Sequence, residues 1–286
     1  MNVACIILNY NDAENTISLI NEIQGYSSLR YIIIVDNCST DDSYERLVKF
    51  ESDKVHIYRT DKNGGYGAGN NYGVKCALKY GCDYVLIANP DVHFSDDLVY
   101  AFSDFLNKNF EYGVVSGIQL DKNGTEIMRT AWRIPTKWRY IFSTGSVLRR
   151  YGENYYYTHD ELHNSNIVDV DCVAGSLLMV AVPKFMACGG YDEEMFLYCE
   201  ETTLGLKMKA MSYKTAVISD VSYRHIHGVT IQKSISSNLK KKQILLQSHH
   251  LLLGKYLGAN QFELLVDWFV GKVVLLEEII KRIGKY

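Results

Sequence analysis

An α/β fold is predicted, with a mostly parallel sheet flanked by helices and a C-terminal helical extension. Three observations predict it. Strand-like and helix-like patterns alternate through the first 120 residues. The first two strand candidates, Val3–Leu8 and Tyr31–Val35, are unbroken apolar runs, as expected of strands covered on both faces. From Lys233 onward the charge balance reverses, with 9 Lys+Arg against 4 Asp+Glu, leaving 21 against 29 in the rest.

The elements follow in order. After Val3–Leu8, Asp12 is placed to cap a helix to about Gln24, with Ile17, Ile20 and Ile23 on one face. Tyr31–Val35 is the second strand, followed by a helix from about Asp41 to Phe50 and a short strand at Val55–Tyr58. The glycine-rich stretch Asn63–Gly69 leads into a helix to about Tyr80. Tyr84–Ala88 is a fourth strand, ended by Asn89-Pro90 because proline cannot continue a central strand. Ser95 or Asp96 caps a helix to about Lys108, and Val114–Gly117 is a fifth strand. Asp121-Lys122-Asn123-Gly124 reads as a hairpin turn. Residues 132–166 are rich in Trp, Tyr, Arg and His with weak periodicity, and are read as a binding segment. Strands at Val168–Val173 and Ser176–Val182, a helix at Glu201–Met211 and a strand at Lys214–Ile218 complete the body.

Composition narrows the function class. The chain has 286 residues, 47% hydrophobic and 22% charged, which is ordinary for a globular protein. A formal net charge of −3 gives no basic footprint for nucleic acid. Seven cysteines without a CxxC pair make neither a disulfide framework nor a zinc ribbon, and fit reduced thiols in a cytoplasmic protein. No signal peptide is read at the N-terminus. The most apolar stretch, Phe262–Ile283, is interrupted by charged residues, among them Glu263, Asp267, Lys272, Glu277 and Glu278, and does not span a bilayer.

Parallel sheets bind ligands beyond the carboxyl ends of their strands, which selects the loops Asn9–Asp12, Asp36–Asp42 and Ala88–Val92. Asp36 ends an apolar strand and is suited to accept from a ribose hydroxyl or a base N–H; Ser39 and Asp41 serve as caps for the next helix and leave it available. The glycines between Asn63 and Asn70 allow close backbone approach to a phosphate at a helix N-terminus. No P-loop and no dinucleotide fingerprint are present. Asp91, displayed after the turn, suits a divalent ion bridging two phosphates. Glu200 and Glu201 open a helix, where acidic residues are common for dipole reasons but also serve as general bases. His225 and His227 share one face of an extended segment, so either one can reach a metal.

The order of these features resembles family 2 glycosyltransferases of the GT-A fold. It runs from Asn9-Tyr10 through VDNCSTDDS, NGGYGAGNNYG, ANPDV, VAGSLLMV and GGYDEEMFLYCEE to HIHG. It looks closest to a rhamnosyltransferase-like branch that builds bacterial surface polysaccharides, and spans about Met1–Thr230. The resemblance implies a GT-A domain over 1–232, with a basic amphipathic tail over 233–286. It implies that Asp36 contacts the nucleotide, with Asn9, Tyr10, Asn63, Gly64, Asn70 and Asn89 around the nucleotide sugar. Asp91 takes the place of the metal-binding aspartate, as NPD. Glu201 takes that of the base, and His225 that of a metal-binding histidine.

The implied reaction is inverting transfer of a sugar, with dTDP-rhamnose the favoured donor and UDP-hexoses the runners-up, using Mn2+ or Mg2+. The acceptor is a saccharide or a polyprenyl-linked saccharide. Trp132, Trp138, Arg133, Glu200 and Tyr155–Tyr157 are candidates for the acceptor side. Two departures stand out: the base is Glu where Asp is usual, and Thr203 replaces a common acid. A non-catalytic nucleotide-sugar-binding protein is the alternative. Lysines among apolar residues in 233–286 fit a helix lying on the inner face of a cell membrane. Packing on the body or in a homodimer is the competing reading.

Overall fold

The structure is a computed structural model and describes residues 1–145, 155–226 and 237–283. Eleven strands are described: β1 (Val3–Asn9), β2 (Tyr31–Asp36), β3 (Val55–Arg59), β4 (Tyr84–Ala88), β5 (Val92–His93), β6 (Tyr112–Leu120), β7 (Ala131–Trp132), β8 (Ile167–Val170), β9 (Cys172–Val173), β10 (Leu177–Ala181) and β11 (Lys214–His225). The helices among the described residues are α1 (Ala13–Ile23), α2 (Ser43–Leu47), α3 (Gly65–Lys79), α4 (Asp96–Lys108), α5 (Lys137–Phe142), α6 (His159–Leu162), α7 (Val182–Ala187), α8 (Glu200–Ala210), α9 (Asn238–Lys255) and α10 (Gln261–Ile283).

The main sheet has the order β3-β2-β1-β4-β10-β6-β11-β5, with β8 on β11. The first four strands are parallel, as the alternating pattern predicts. The sheet as a whole is mixed. β10 lies antiparallel between β4 and β6, and β5 and β8 lie antiparallel to β11. The crossover rule applies only where a helix separates successive strands. That holds through β4, whereas β5 follows it after a three-residue turn. Because β10 is reversed, its first residues, and not its last, lie beside the carboxyl end of β4: Asn89 N–H donates to Ser176 O at 2.8 Å.

Helices cover both faces. α1 and α4 pack their apolar stripes on one side with Cys5, Ile7, Ile32 and Leu86. α3, α7 and α8 pack on the other with Ile6, Ile33, Val85 and Val180. Ser95 caps α4, its hydroxyl accepting from Leu98 N–H at 3.2 Å. Asp12 precedes α1 but makes no such cap; its carboxylate takes the Asn15 amide at 2.9 Å. The hairpin turn is present, with Gly124 at φ +83° and Leu120 bridged to Glu126.

The glycine-rich stretch differs most from expectation. α3 begins inside it, at Gly65, and its glycines serve packing. A Cβ on Gly69 would stand 2.3 Å from Leu8, and one on Gly73 2.7 Å from Ile6, so both let the helix lie close on β1.

The tail is a helix pair, α9 against α10, which docks on α5 through Tyr140, Ile141, Met195, Leu252, Leu253, Val270 and Val274. No helix among the described residues is long and apolar enough to cross a membrane. The boundary expected at 232/233 lies outside the described residues. The seven cysteines are unpaired.

Candidate active site

The carboxyl ends of β2, β1 and β4 and the first residues of β10 form one rim, since Asn9 is in register with Asp36 and Ala88 with Leu177. Three strand spacings separate β2 from β10, about 14 Å.

At one end of the rim, Asp36 is fully buried. Its carboxylate accepts from Asn9 Nδ2 (2.9 Å), from the backbone N–H of Ser39 (3.0 Å) and from the Ser39 hydroxyl (2.5 Å), and pairs with Arg59 Nε at 3.4 Å. Asp36 is therefore not left available as expected, because Ser39 bonds to it instead of capping α2. Asn9 is consumed likewise. Its amide also donates to Ser39 Oγ, and its carbonyl accepts from Thr16. These two residues shape the loop after β2. Tyr10 is half-buried, beside Asn11 at φ +54°.

At the rim's centre the turn Asn89-Pro90-Asp91 presents a buried aspartate, Asp91, 6% exposed. β5 pairs with the end of β11, bringing His225 Nε2 to 3.2 Å from Asp91 Oδ1. Gln119, at the end of β6, contacts His225 Nδ1 at 2.8 Å. The contacting atom is the Gln119 amide nitrogen, which donates to Nδ1, so Nε2 carries the proton that faces Asp91, in the place a metal ion would take. A carboxylate and an imidazole set in this way fit a divalent ion, and the mixed oxygen–nitrogen pair suits manganese better than magnesium. His227 lies outside the described residues.

On the β10 side, Tyr198 (φ +74°) and Cys199 (φ +70°) are successive left-handed residues just before α8. Such strain in non-glycine residues gathers at functional sites. Glu201, just after this turn, lies against Gly175, two residues ahead of β10. Burial raises the Glu201 carboxyl above the usual glutamate range, against hydrogen bonds from its own N–H and that of Gly175, which lower it. Glu200 is 3% exposed, and its Oε1 has no partner. Burial, and then the charge of Glu201, push it well above its ordinary value. Both carboxyls are pushed up, and Glu200, which feels burial and then the charge of Glu201, is the weaker acid of the two. Gly175 leaves room for Glu201: a Cβ there would stand 2.7 Å from Glu201 Oε1.

The start of α3 closes the third side. Gly65 sits at φ +87°, with room for no Cβ against Phe196 O. Tyr66 O–H donates to Gly175 O at 2.6 Å, which ties α3 to the Glu201 turn. Asn63 Oδ1 accepts from Asn37 and from Gly65 N–H, both at 3.0 Å, and Gly64 lies just before the helix. Asn70 is buried one turn in, its amide donating to Tyr66 O and its Oδ1 unpartnered. Unsatisfied buried oxygens at Asn70 and Glu200 suit a site that completes its hydrogen bonds with ligand.

Of the acceptor candidates, Trp132 reaches the site. Its indole N–H donates to Thr202 Oγ1 at 3.1 Å, next to Glu201. Tyr156 bridges to Trp132, and Tyr155 packs on Tyr156. Trp138 instead lies on the outer side of α5, 43% exposed, with its ring against Phe142. Thr203 is buried, its hydroxyl donating to Cys199 O at 2.9 Å, so it secures the strained turn. Gly175, Tyr66 and Gln119 were not singled out from sequence. Gly175 stands in the quoted VAGS, but only the fold shows what it faces.

Residues 4–168 match the family described as glycosyl transferase family 2. A low-salt glycan biosynthesis hexosyltransferase of Haloferax volcanii is 25% identical over 201 residues, 70% of this chain and 59% of that protein. An N-acetylglucosaminyl-diphospho-decaprenol L-rhamnosyltransferase of Mycobacterium tuberculosis is 24% identical over 233 residues, 77% of this chain and 75% of that one. Among solved structures, GalNAc-T7 with UDP, GalNAc and Mn2+ superposes with a TM-score of 0.65 at 12% identity, over 89% of this chain and 48% of that one. A Pyrobaculum calidifontis mannosyltransferase with GDP-Man and Mn2+ gives 0.60 at 14% identity, over 99% and 75%. The chain thus spans about three-fifths of the haloarchaeal relative and about half of the GalNAc-T7 chain. The fold is that of these GT-A enzymes.

Proposed function

The chain belongs to glycosyl transferase family 2, and we propose that it moves a sugar from a nucleoside diphosphate donor to a hydroxyl of a saccharide or polyprenyl-linked acceptor, with inversion. The observation that carries this reading is the pairing of Asp91 with His225 at 3.2 Å on the rim that also carries Glu201.

Asn63, Gly64, Asn70 and Asn89 border the place for the nucleotide sugar, and Tyr10 its outer edge. Asp36 and Asn9 act at one remove, by holding the loop after β2. The Asp91 carboxylate and His225 Nε2 would hold Mn2+ or Mg2+. When bound, such an ion offsets charge on the departing diphosphate. Glu201 takes the proton of the acceptor hydroxyl as its oxygen attacks the anomeric carbon. The bond to the diphosphate breaks on the opposite face, and the diphosphate leaves with the electron pair. A raised Glu201 value makes it a better base than an exposed glutamate. Glu200 beside it, the weaker acid of the two, disfavours a second negative charge there. Trp132 walls the acceptor side.

The favoured donor is dTDP-rhamnose, supported by relatives named as rhamnosyltransferases, one of them a dTDP-rhamnosyl transferase of Shigella flexneri. A panel of nucleotide sugars in a thermal-shift assay, with and without Mn2+, tests this. A ligand at a hundred times its Kd stabilises by about 2.7 kcal/mol. dTDP-rhamnose should raise the melting temperature, and only with the ion. A larger shift with a UDP-hexose would reassign the donor; no shift with any member, and no transfer, would sink the reading.

The tail supports delivery to a lipid-linked acceptor. Phe262, Leu265, Trp268, Phe269, Val273, Leu276, Ile279 and Ile280 of α10 are all exposed. They share an arc of about 140° at the helical period, wider than a coiled-coil seam. Two of the four acids of α10, Glu263 and Asp267, are buried against inward partners. Glu263 pairs with Lys137 at 2.9 Å, and Asp267 with His249 and His250 at 3.0 and 2.7 Å. Within that arc the charged side chain is Lys272, which stands over the Trp268 ring; the exposed Lys281 lies outside the arc and pairs with Glu278. A broad apolar arc bearing a cation and no acid suits an anionic bilayer surface.

A further inference from the structure

Outside this cleft, three side chains from two separate segments meet. Glu126 closes the hairpin after β6, bridged to Leu120. His159 opens α6 and His163 follows its last residue, four positions on, with the two ring centres 4.4 Å apart. His163 Nε2 lies 3.0 and 3.1 Å from the two Glu126 oxygens, and His159 Nε2 lies 3.5 Å from Oε2. The three ligating atoms fall within 4.8 Å of one another.

We propose that Glu126, His159 and His163 form a zinc site, separate from the Asp91–His225 pair. Ligands about 2.0–2.1 Å from a tetrahedral ion stand about 3.3 Å apart, and the two His–Glu separations bracket that value. Two imidazoles with one carboxylate are a zinc donor set, and imidazole disfavours magnesium and calcium. Both histidines aim the same nitrogen, Nε2, at the carboxylate. The other nitrogen of His159 lies 3.4 Å from Asp160 Oδ1, the outer carboxylate that orients a ligating histidine. All three groups are at the surface, so water completes the fourth position.

The consequence is mechanical. The ion ties the hairpin to the segment that carries Tyr156, and Tyr156 bridges to Trp132, whose indole bonds to Thr202 beside Glu201. Arg133 and Glu161 pair across the same junction. Zinc therefore stiffens the acceptor wall from behind, and takes no part in the transfer.

The test uses the full chain, stripped with a chelator and titrated with zinc chloride by calorimetry. One stoichiometric zinc is expected, weakened at least about tenfold in His163→Ala and in Glu126→Gln and retained in Asp91→Asn. Cobalt should give the visible spectrum of a tetrahedral ion, which His159→Ala abolishes, and zinc should raise the melting temperature reversibly. Because the three side chains are exposed, circular dichroism of each variant checks the fold. Unchanged isotherms in both His163→Ala and Glu126→Gln, or loss only in Asp91→Asn, would overturn the proposal. Nucleotide-sugar binding in the same variants is expected to persist, so this result is independent of the transferase reading.

Discussion

Replacing Gly175 with alanine adds one methyl group at the point where β10 approaches the base. The new Cβ would lie 2.7 Å from Glu201 Oε1, 3.1 Å from Cγ and 3.2 Å from Cδ. Ordinary contact begins at 3.4 Å, so the carboxylate must retreat by about 0.7 Å. Gly175 has no positive φ, so alanine is tolerated by the backbone and the fold should persist. A reacting group displaced by about 1 Å can lose roughly a hundredfold in rate. Steady-state transfer kinetics should show kcat down by about that factor, with donor affinity by calorimetry unchanged, because Glu201 faces the acceptor. An unchanged kcat would refute the assignment of Glu201 as base. Loss of donor affinity would place Glu201 on the wrong substrate.

Further predictions concern stability and attachment. In the folded state the Glu200 carboxyl is held above its ordinary value, so between the two values the native chain binds more protons than the unfolded one. Stability then falls as pH rises through that window; Glu200→Gln should flatten the fall and raise the melting temperature above neutral pH, as read by calorimetry. Asp36→Ala strips Asn9, Ser39 and Arg59 of a shared buried acceptor, and urea unfolding should show a loss of about 3 kcal/mol. Phe269→Asp with Leu276→Asp removes two exposed apolar side chains worth together at least about 3 kcal/mol if buried in lipid, so flotation on anionic vesicles should weaken by roughly a hundredfold. Equal flotation, or a wild-type chain that dimerises without binding vesicles, would assign the α10 face to protein instead.

The legible parts of the chain were those with a strong local signature. β1, β2 and β4 are fully apolar runs and lie where the pattern puts them. Asp91 lies on the rim because the strand-end rule selects the loop after β4; Glu201 reaches it from a turn which that rule does not select, beside Gly175 at the start of the reversed β10. Reversal of β10 was not legible, because no local pattern encodes strand direction once helical crossovers stop. The packing role of two glycines of α3 is hidden for a related reason. Gly69 and Gly73 answer to Leu8 and Ile6, which are distant in sequence. Asp36 and Asn9 look like ligand contacts by position, yet their hydrogen-bonding capacity is used within the protein. In helix α10 the pattern shows an amphipathic helix but not which side faces out: Glu263 and Asp267 turn to inward partners and the apolar arc is exposed, which only packing against α5 and α9 reveals.

The most direct test of the central claim is calorimetric titration of dTDP, with and without Mn2+, into the wild type, Asp91→Asn and Glu201→Gln, alongside a transfer assay. Tight binding that requires the ion, is lost in Asp91→Asn and survives in a Glu201→Gln protein unable to transfer would bear out the division of labour across the rim. Ion-independent binding that Asp91→Asn leaves intact, or a Glu201→Gln protein that still transfers, would contradict it.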